Sequence, residues 1–205
     1  SIVVLCTDGT LWSVAADSRL GYRLELDSVA KTAAAAPAAS DDGGVVVATA
    51  SELVRVAADG TVTARTPLPE RPVGGIILDG REVIVTVANG EIFSWQPPGS
   101  ARRLGTFGGP LDGGAVLAGP RALVGVVDRD VLASFDRVTG TVTVIASGPA
   151  GLHQLEGPPT LGPADELLVT TLGGELLGFD AHGAEARRAA LDPLATPLDS
   201  DAGAS

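Results

Sequence analysis

The stretch Asp8-Gly9-Thr10-Leu11-Trp12-Ser13-Val14 decides how the rest of the chain reads. A glycine turn opens onto a short run of leucine, aromatic residue, small polar residue and valine. The broader pattern, an aliphatic residue, an apolar one, a small or polar one and a larger apolar one, returns at Gly174-Glu175-Leu176-Leu177-Gly178-Phe179-Asp180. Between them lie Leu53–Val56, Ile92–Trp95 and Leu132–Phe135, each opening on an aliphatic residue and closing on a large apolar one. The opening residues Leu11, Leu53, Ile92, Leu132 and Leu176 act as anchors, spaced by 42, 39, 40 and 44 residues. A period near 40 marks a chain built from repeated supersecondary units.

Working outward from each anchor gives the rest of the unit. Upstream of it stand Ile2–Cys6, Val45–Ala48, Val83–Val87, Leu123–Val127 and Leu167–Thr170, runs dominated by β-forming residues. Downstream come a turn and a third element, as in Thr61–Arg65, Thr141–Ile145 and Ala184–Arg188. Thr61, Thr63 and Arg65 alternate with Val62 and Ala64, the period of a strand with one wet face. Small-residue stretches precede the units at Pro37–Ser40, Pro72–Leu78, Pro110–Leu117 and Pro158–Leu161. These suit inner strands, where close approach of neighbouring backbones excludes bulky side chains. Helical periodicity is weak throughout, and Ala33–Ala36 is too short, and closed by Pro37, to nucleate a helix. Four strands in roughly 40 residues predict a propeller blade. The expected fold is therefore all-β, a β-propeller of about five four-stranded blades filling residues 1–205 as a single domain.

The first unit lacks its inner strand. Thr196-Pro197-Leu198-Asp199-Ser200-Asp201-Ala202-Gly203 matches Ala36-Pro37-Ala38-Ala39-Ser40-Asp41-Asp42-Gly43 in kind and order. Running on from Ser205 to Ser1, the fifth anchor spacing is 40, and the five together span 205 residues. The C-terminal strand Thr196–Asp201 is expected to pair beside Ile2–Cys6, which closes the N-terminal blade and removes an open sheet edge.

Composition narrows the function. A net charge of −11 excludes nucleic acid as a partner, because phosphate binding needs a basic surface. No apolar run approaches the roughly 18 residues of a membrane span. A single cysteine, Cys6, excludes an internal disulfide framework.

The strings around Leu11 and Leu176, each followed by a glycine turn and an outer strand, resemble the pyrroloquinoline-quinone-like repeat. That repeat builds quinoprotein dehydrogenases and the non-enzymatic outer-membrane protein assembly lipoprotein. The resemblance implies a propeller and a periplasmic or otherwise extracytoplasmic setting. For a quinoprotein it would also imply a catalytic Asp, a calcium or lanthanide site and aromatic stacking on the cofactor. The chain has two tryptophans, Trp12 and Trp95, both inside apolar strand runs where core packing accounts for them. No cofactor is expected. The Gly-His and Trp-Asp marks of WD40 blades are absent.

Candidate binding residues come from two places. The turns between second and third strands fall on one face and bear Asp8, Glu52, Glu91, Asp130 and Glu175, an acidic rim suited to a basic partner, a cation or a sugar. They lie away from the axis, unlike a glycosidase pair about 5–10 Å apart. The longest connection, Ser147–Pro159, bears His153, Gln154 and Glu156, and long loops on rigid scaffolds concentrate binding. His153 and His182 are isolated, whereas a metal site needs three or four convergent ligands. No Gly-x-Ser-x-Gly turn exists to present a nucleophile. The chain is thus expected to be a non-catalytic binding or scaffold module with a protein partner, and not an enzyme. The alternative is a glycan-active hydrolase or lectin on the same scaffold. Whether it takes a small-molecule or glycan ligand is left open.

Overall fold

A computed structural model describes residues 2–6, 8–26, 35–147, 155–163, 166–180 and 184–190. These residues form β-strands in five antiparallel sheets, each an up-and-down meander. The first blade holds β1 (Ile2–Leu5), β2 (Thr10–Val14) and β3 (Leu20–Glu25). The second holds β4 (Ala38–Ala39), β5 (Val45–Ala48), β6 (Glu52–Val56) and β7 (Val62–Pro67). The third runs through β8 (Pro72–Asp79), β9 (Glu82–Val87), β10 (Glu91–Trp95) and β11 (Arg102–Thr106). The fourth comprises β12 (Leu111–Ala118), β13 (Ala122–Val127), β14 (Val131–Asp136) and β15 (Val142–Ser147). The fifth comprises β16 (Leu155–Leu161), β17 (Leu167–Thr171), β18 (Glu175–Phe179) and β19 (Glu185–Ala190). The expected all-β propeller of five blades is what the chain forms. The closing strand expected at Thr196–Asp201 lies outside the described residues, and the first blade has three strands among them.

The continuous apolar runs follow from packing blade against blade. Side chains alternate across a strand, so each middle strand feeds two interfaces. In β5, Val45 and Val47 meet Leu11 and Leu26 of the first blade. Val46 and Ala48 turn the other way, onto Val83, Val85 and Trp95 of the third. In β13, Leu123 and Val127 join Ile84, Ile92 and Phe107, while Val124 and Val126 join Leu167, Val169 and Phe179. Both faces of these strands are buried, which removes the polar alternation an open antiparallel sheet would show. Outer strands keep it: in β7, Thr63 and Arg65 are exposed, Val62 and Ala64 half-buried, and the alternation ends at buried Thr66.

The inner strands meet backbone to backbone. A Cβ on Gly74 would stand 2.0 Å from the Gly113 carbonyl oxygen, and one on Gly113 would stand 2.4 Å from Pro158 Cδ. Gly74 of the third inner strand and Gly113 of the fourth are thus required by contact across blades.

Charge clamps the opposite ends of the third and fourth blades. Arg137, whose side chain is 11% exposed, donates to Asp79 at 2.7 Å, to Glu82 and to the Pro120 carbonyl. Replacing it strands two carboxylates beside each other with no shared cation. Arg137→Ala is expected to lower stability by about 2 kcal/mol, between the values for exposed and buried pairs. Arg137→Lys should recover only part, because an ammonium cannot span two carboxylates as a guanidinium fork does. Urea unfolding of the three proteins checks both.

Candidate functional site

Each sheet is a meander, so the turns between its second and third strands recur at one end of the blades. That topology brings Glu52, Glu91, Asp130 and Glu175 to a common face, and Asp8 joins them from the β1–β2 turn, where the Leu26 N–H donates to the Gly9 carbonyl as the Leu68 N–H does to Ser51 and the Phe107 N–H to Gly90. The described connections at residues 68–71 and 107–110, leading into β8 and β12, lie at the same end.

The five acids are not equivalent. Asp8 Oδ1 accepts the Thr10 backbone N–H at 2.9 Å, fixing the turn that enters β2. Glu52 accepts from Arg65 at 2.6 Å and Glu91 from Arg103 at 2.5 Å. Glu175 Oε2 is buried without a hydrogen bond and lies 3.5 Å from Arg188 Nη1. In these three blades an acid at the start of the third strand meets an arginine of the outer strand. Asp130 is exposed, its N–H donating to the Val127 carbonyl at 3.1 Å. It closes a hairpin whose two central residues, Asp128 and Arg129, both have positive φ (52° and 63°), as a tight type I′ turn requires. Asp8 and Asp130 are the members of the set without a salt bridge among the described residues.

Sequence reading missed the arginines. Arg65 and Arg103 stand 13 and 12 residues after their acids, a separation that a hairpin register would have flagged. The connection leading to β16 also differs from expectation. β16 begins at Leu155, whose N–H donates to the Arg129 carbonyl at 2.6 Å, so Glu156 sits exposed in an inner strand. The Glu156 carbonyl accepts from Thr170 Oγ1 at 2.7 Å. His153 and Gln154 lie outside the described residues.

Hydrogen bonds set the protonation of the rim. The Thr10 N–H, ahead of its hydroxyl, holds the Asp8 carboxyl below its ordinary 3.8. Asn89, followed by Arg103, holds Glu91 below 4.5. The Thr139 and Val138 N–H groups do the same for Asp136 at the other end of the fourth blade. A carboxyl whose folded value is depressed stabilises the fold fully above its unfolded value and loses that contribution as pH falls through the folded one. The melting temperature is expected to hold near neutrality and to fall once pH drops below 4.5, measured by scanning calorimetry across an acid series.

A cleft of about 490 Å³ lies on the opposite face, between the second and third blades. Ser40, Asp42, Arg55, Leu78, Arg81 and Pro97 line it. Arg55 is held there by Asp42 and by Ser40 Oγ at 3.3 Å. Turns some 40 residues apart in sequence build this cleft, and no local motif announces it. Among the described residues no group of three or more His, Cys, Asp or Glu is placed to hold a metal. No helix among them is long and apolar enough to cross a membrane.

Fold and blade order define a β-propeller. Solved structures with this fold include BamB from Moraxella catarrhalis, at 18% identity and a TM-score of 0.68, covering 91% of this chain and 60% of that one. A streptogramin B lyase is similar at 16% identity and a TM-score of 0.71, covering 90% of this chain and 63% of that one. A catalytically inactive virginiamycin B lyase from Staphylococcus aureus, bound to quinupristin, matches at 18% identity and a TM-score of 0.71, over 90% of this chain and 64% of that one. The chain spans about three fifths of the length of these structures. No family model and no curated protein matches the sequence, and the similarities to solved structures show the propeller fold alone.

The lyases correct one expectation. The chain was expected not to be an enzyme because its blades form a regular scaffold without a convergent reactive set. Lyases built on the same fold overturn that inference. Blade pattern specifies the scaffold, and chemistry is set by individual side chains grafted onto it.

Proposed function

We propose that this propeller is a protein-binding scaffold whose partner sits on the face formed by the turns between second and third strands. The observation behind this reading is the gathering of Asp8, Glu52, Glu91, Asp130 and Glu175 at that end, in a chain of net charge −11. The fold shared with BamB supports it, as does the resemblance of the repeats to those of the assembly lipoprotein. Because three of the acids already hold arginines, Asp8 and Asp130 offer the carboxylates for a basic partner. Glu156, exposed near the start of β16, adds a further carboxylate at the same end. The reading concerns binding and holds with or without chemistry at that surface.

Site-specific photo-cross-linking in the source cells tests it. A cross-linking residue at Asp8 or Asp130 is expected to give discrete adducts with a second protein. The same residue at Arg81 or Pro98, on the opposite face, is expected to give none. Adducts of equal yield from both faces, or from Arg81 and Pro98 alone, would overturn the assignment.

A further inference from the structure

The five outer strands occupy equivalent edges, and one of them differs in kind. Opposite the residue after each anchor stands an arginine: Arg23 beside Trp12, Arg65 beside Val54, Arg103 beside Phe93 and Arg188 beside Leu177. In the fourth blade the same register position, opposite Ala133, is Val144. Its third strand also opens on Val131 where three other blades place Glu52, Glu91 and Glu175. The acid and the arginine of the usual pair are thus replaced together by valines. Charged residues on an edge strand discourage pairing with another chain. β15 has no charged residue, and Val142 and Val144 are 38% and 59% exposed, with Val138 just before them at 71%.

The backbone of this stretch is open as well. The Asp136 N–H donates to the Thr141 carbonyl at 2.9 Å. Antiparallel alternation then turns the N–H and C=O groups of Val142 and Val144 away from β14, toward the outside. The register stays regular from Val142 to Val144 and shifts only beyond it. All five outer strands have such a shift, so it does not set this edge apart; the missing charge does.

We propose that the β15 edge accepts an extended strand from a protein partner, paired through the backbone of Val142 and Val144, with alternate apolar side chains seated on theirs. Charge selects the occupant. At the far end of β15, Ser147 pairs with Val131, next to exposed Asp128 and Asp130, while Arg129 between them is drawn to Asp112 at 3.8 Å, so a basic residue flanking the incoming strand is favoured. A second copy of this chain would bring another net charge of −11 to a strand that bears no cation of its own. The inference goes beyond the acidic-face reading and draws on a different surface.

A synthetic peptide of alternating valine and threonine with a lysine at each end is the probe. It is titrated against isotopically labelled protein, with amide exchange as the readout. Slowed exchange at Val142 and Val144 is expected, with binding at least tenfold weaker in Val144→Arg. That variant installs the residue four sibling blades already tolerate. Should it fail to fold, the same peptide N-methylated on its pairing edge provides the test with unaltered protein, and it is expected not to bind. Unprotected amides at Val142 and Val144, equal affinity for Val144→Arg, or undiminished binding of the N-methylated peptide would overturn the proposal. So would a dimer of the unaltered chain in sedimentation that Val144→Arg dissolves, since the occupant would then be a second copy. Such a failure leaves the cross-links from Asp8 untouched, so the two readings fall separately.

Discussion

Gly113→Ala is expected to destabilise the fold by about 3–5 kcal/mol, as backbone strain and overpacking act at one site. Gly113 has φ of 78°, a region that L side chains enter at a cost. The added methyl would also stand 2.4 Å from Pro158 Cδ and 2.5 Å from the Pro158 nitrogen. Neither is the free end of a flexible side chain, so relief requires the fourth and fifth inner strands to separate. Gly119→Ala separates the two contributions. Its φ is 65° and nothing lies within 4 Å of the added Cβ, so only the conformational cost of about 1–2 kcal/mol should remain. Urea midpoints of the two variants at unchanged slope give the comparison. Equal losses would mean that the inner strands do not touch as described.

Phe135→Ala should cost about 3–5 kcal/mol, the usual range for emptying a fully buried aromatic site. Phe135 has no exposed surface and packs against Phe107 with ring centroids 6.0 Å apart. Its edge lies over Gly105: a Cβ there would fall 2.5 Å from Phe135 Cε2. Gly105→Ala alone is therefore expected to cost about 1–3 kcal/mol by overpacking. In the Phe135→Ala background the same methyl enters the vacated space, and the double variant should be more stable than the two single losses predict by about 1 kcal/mol or more. Simple additivity would contradict the packing of the third blade on the fourth.

The anchors were legible because burial repeats with the blade. Leu53, Ile92 and Leu132 are fully buried in the third strands of their sheets and Leu11 in β2, the middle strand of the first, while Leu176 is half-buried. The small inner stretches were legible for a related reason, since only glycine and its like survive at Gly74 and Gly113. Pairing across strands was harder to see. Glu52 finds Arg65 only once the β6–β7 register is known, and that register includes an irregularity between Arg55 and Val56. The start of β16 was hidden because Gly157, Pro158 and Pro159 look like loop, although Leu155 is buried and paired with Thr171. The cleft at Arg55 and Arg81 was out of reach, being assembled from turns of two different repeats. Enzymatic status was out of reach for another reason: the pattern that specifies blades says nothing about the few side chains that do chemistry.

The most direct test of partner binding at the acidic face is charge reversal. With the partner that cross-links to Asp8 and Asp130 in hand, its affinity is measured against the unaltered chain and against Asp8→Arg combined with Asp130→Arg, over a series of salt concentrations. The expected result is affinity that falls as salt rises and is at least tenfold weaker in the double variant, while thermal unfolding shows the propeller intact. Affinity independent of salt and unchanged by reversing both carboxylates would contradict the proposed binding face.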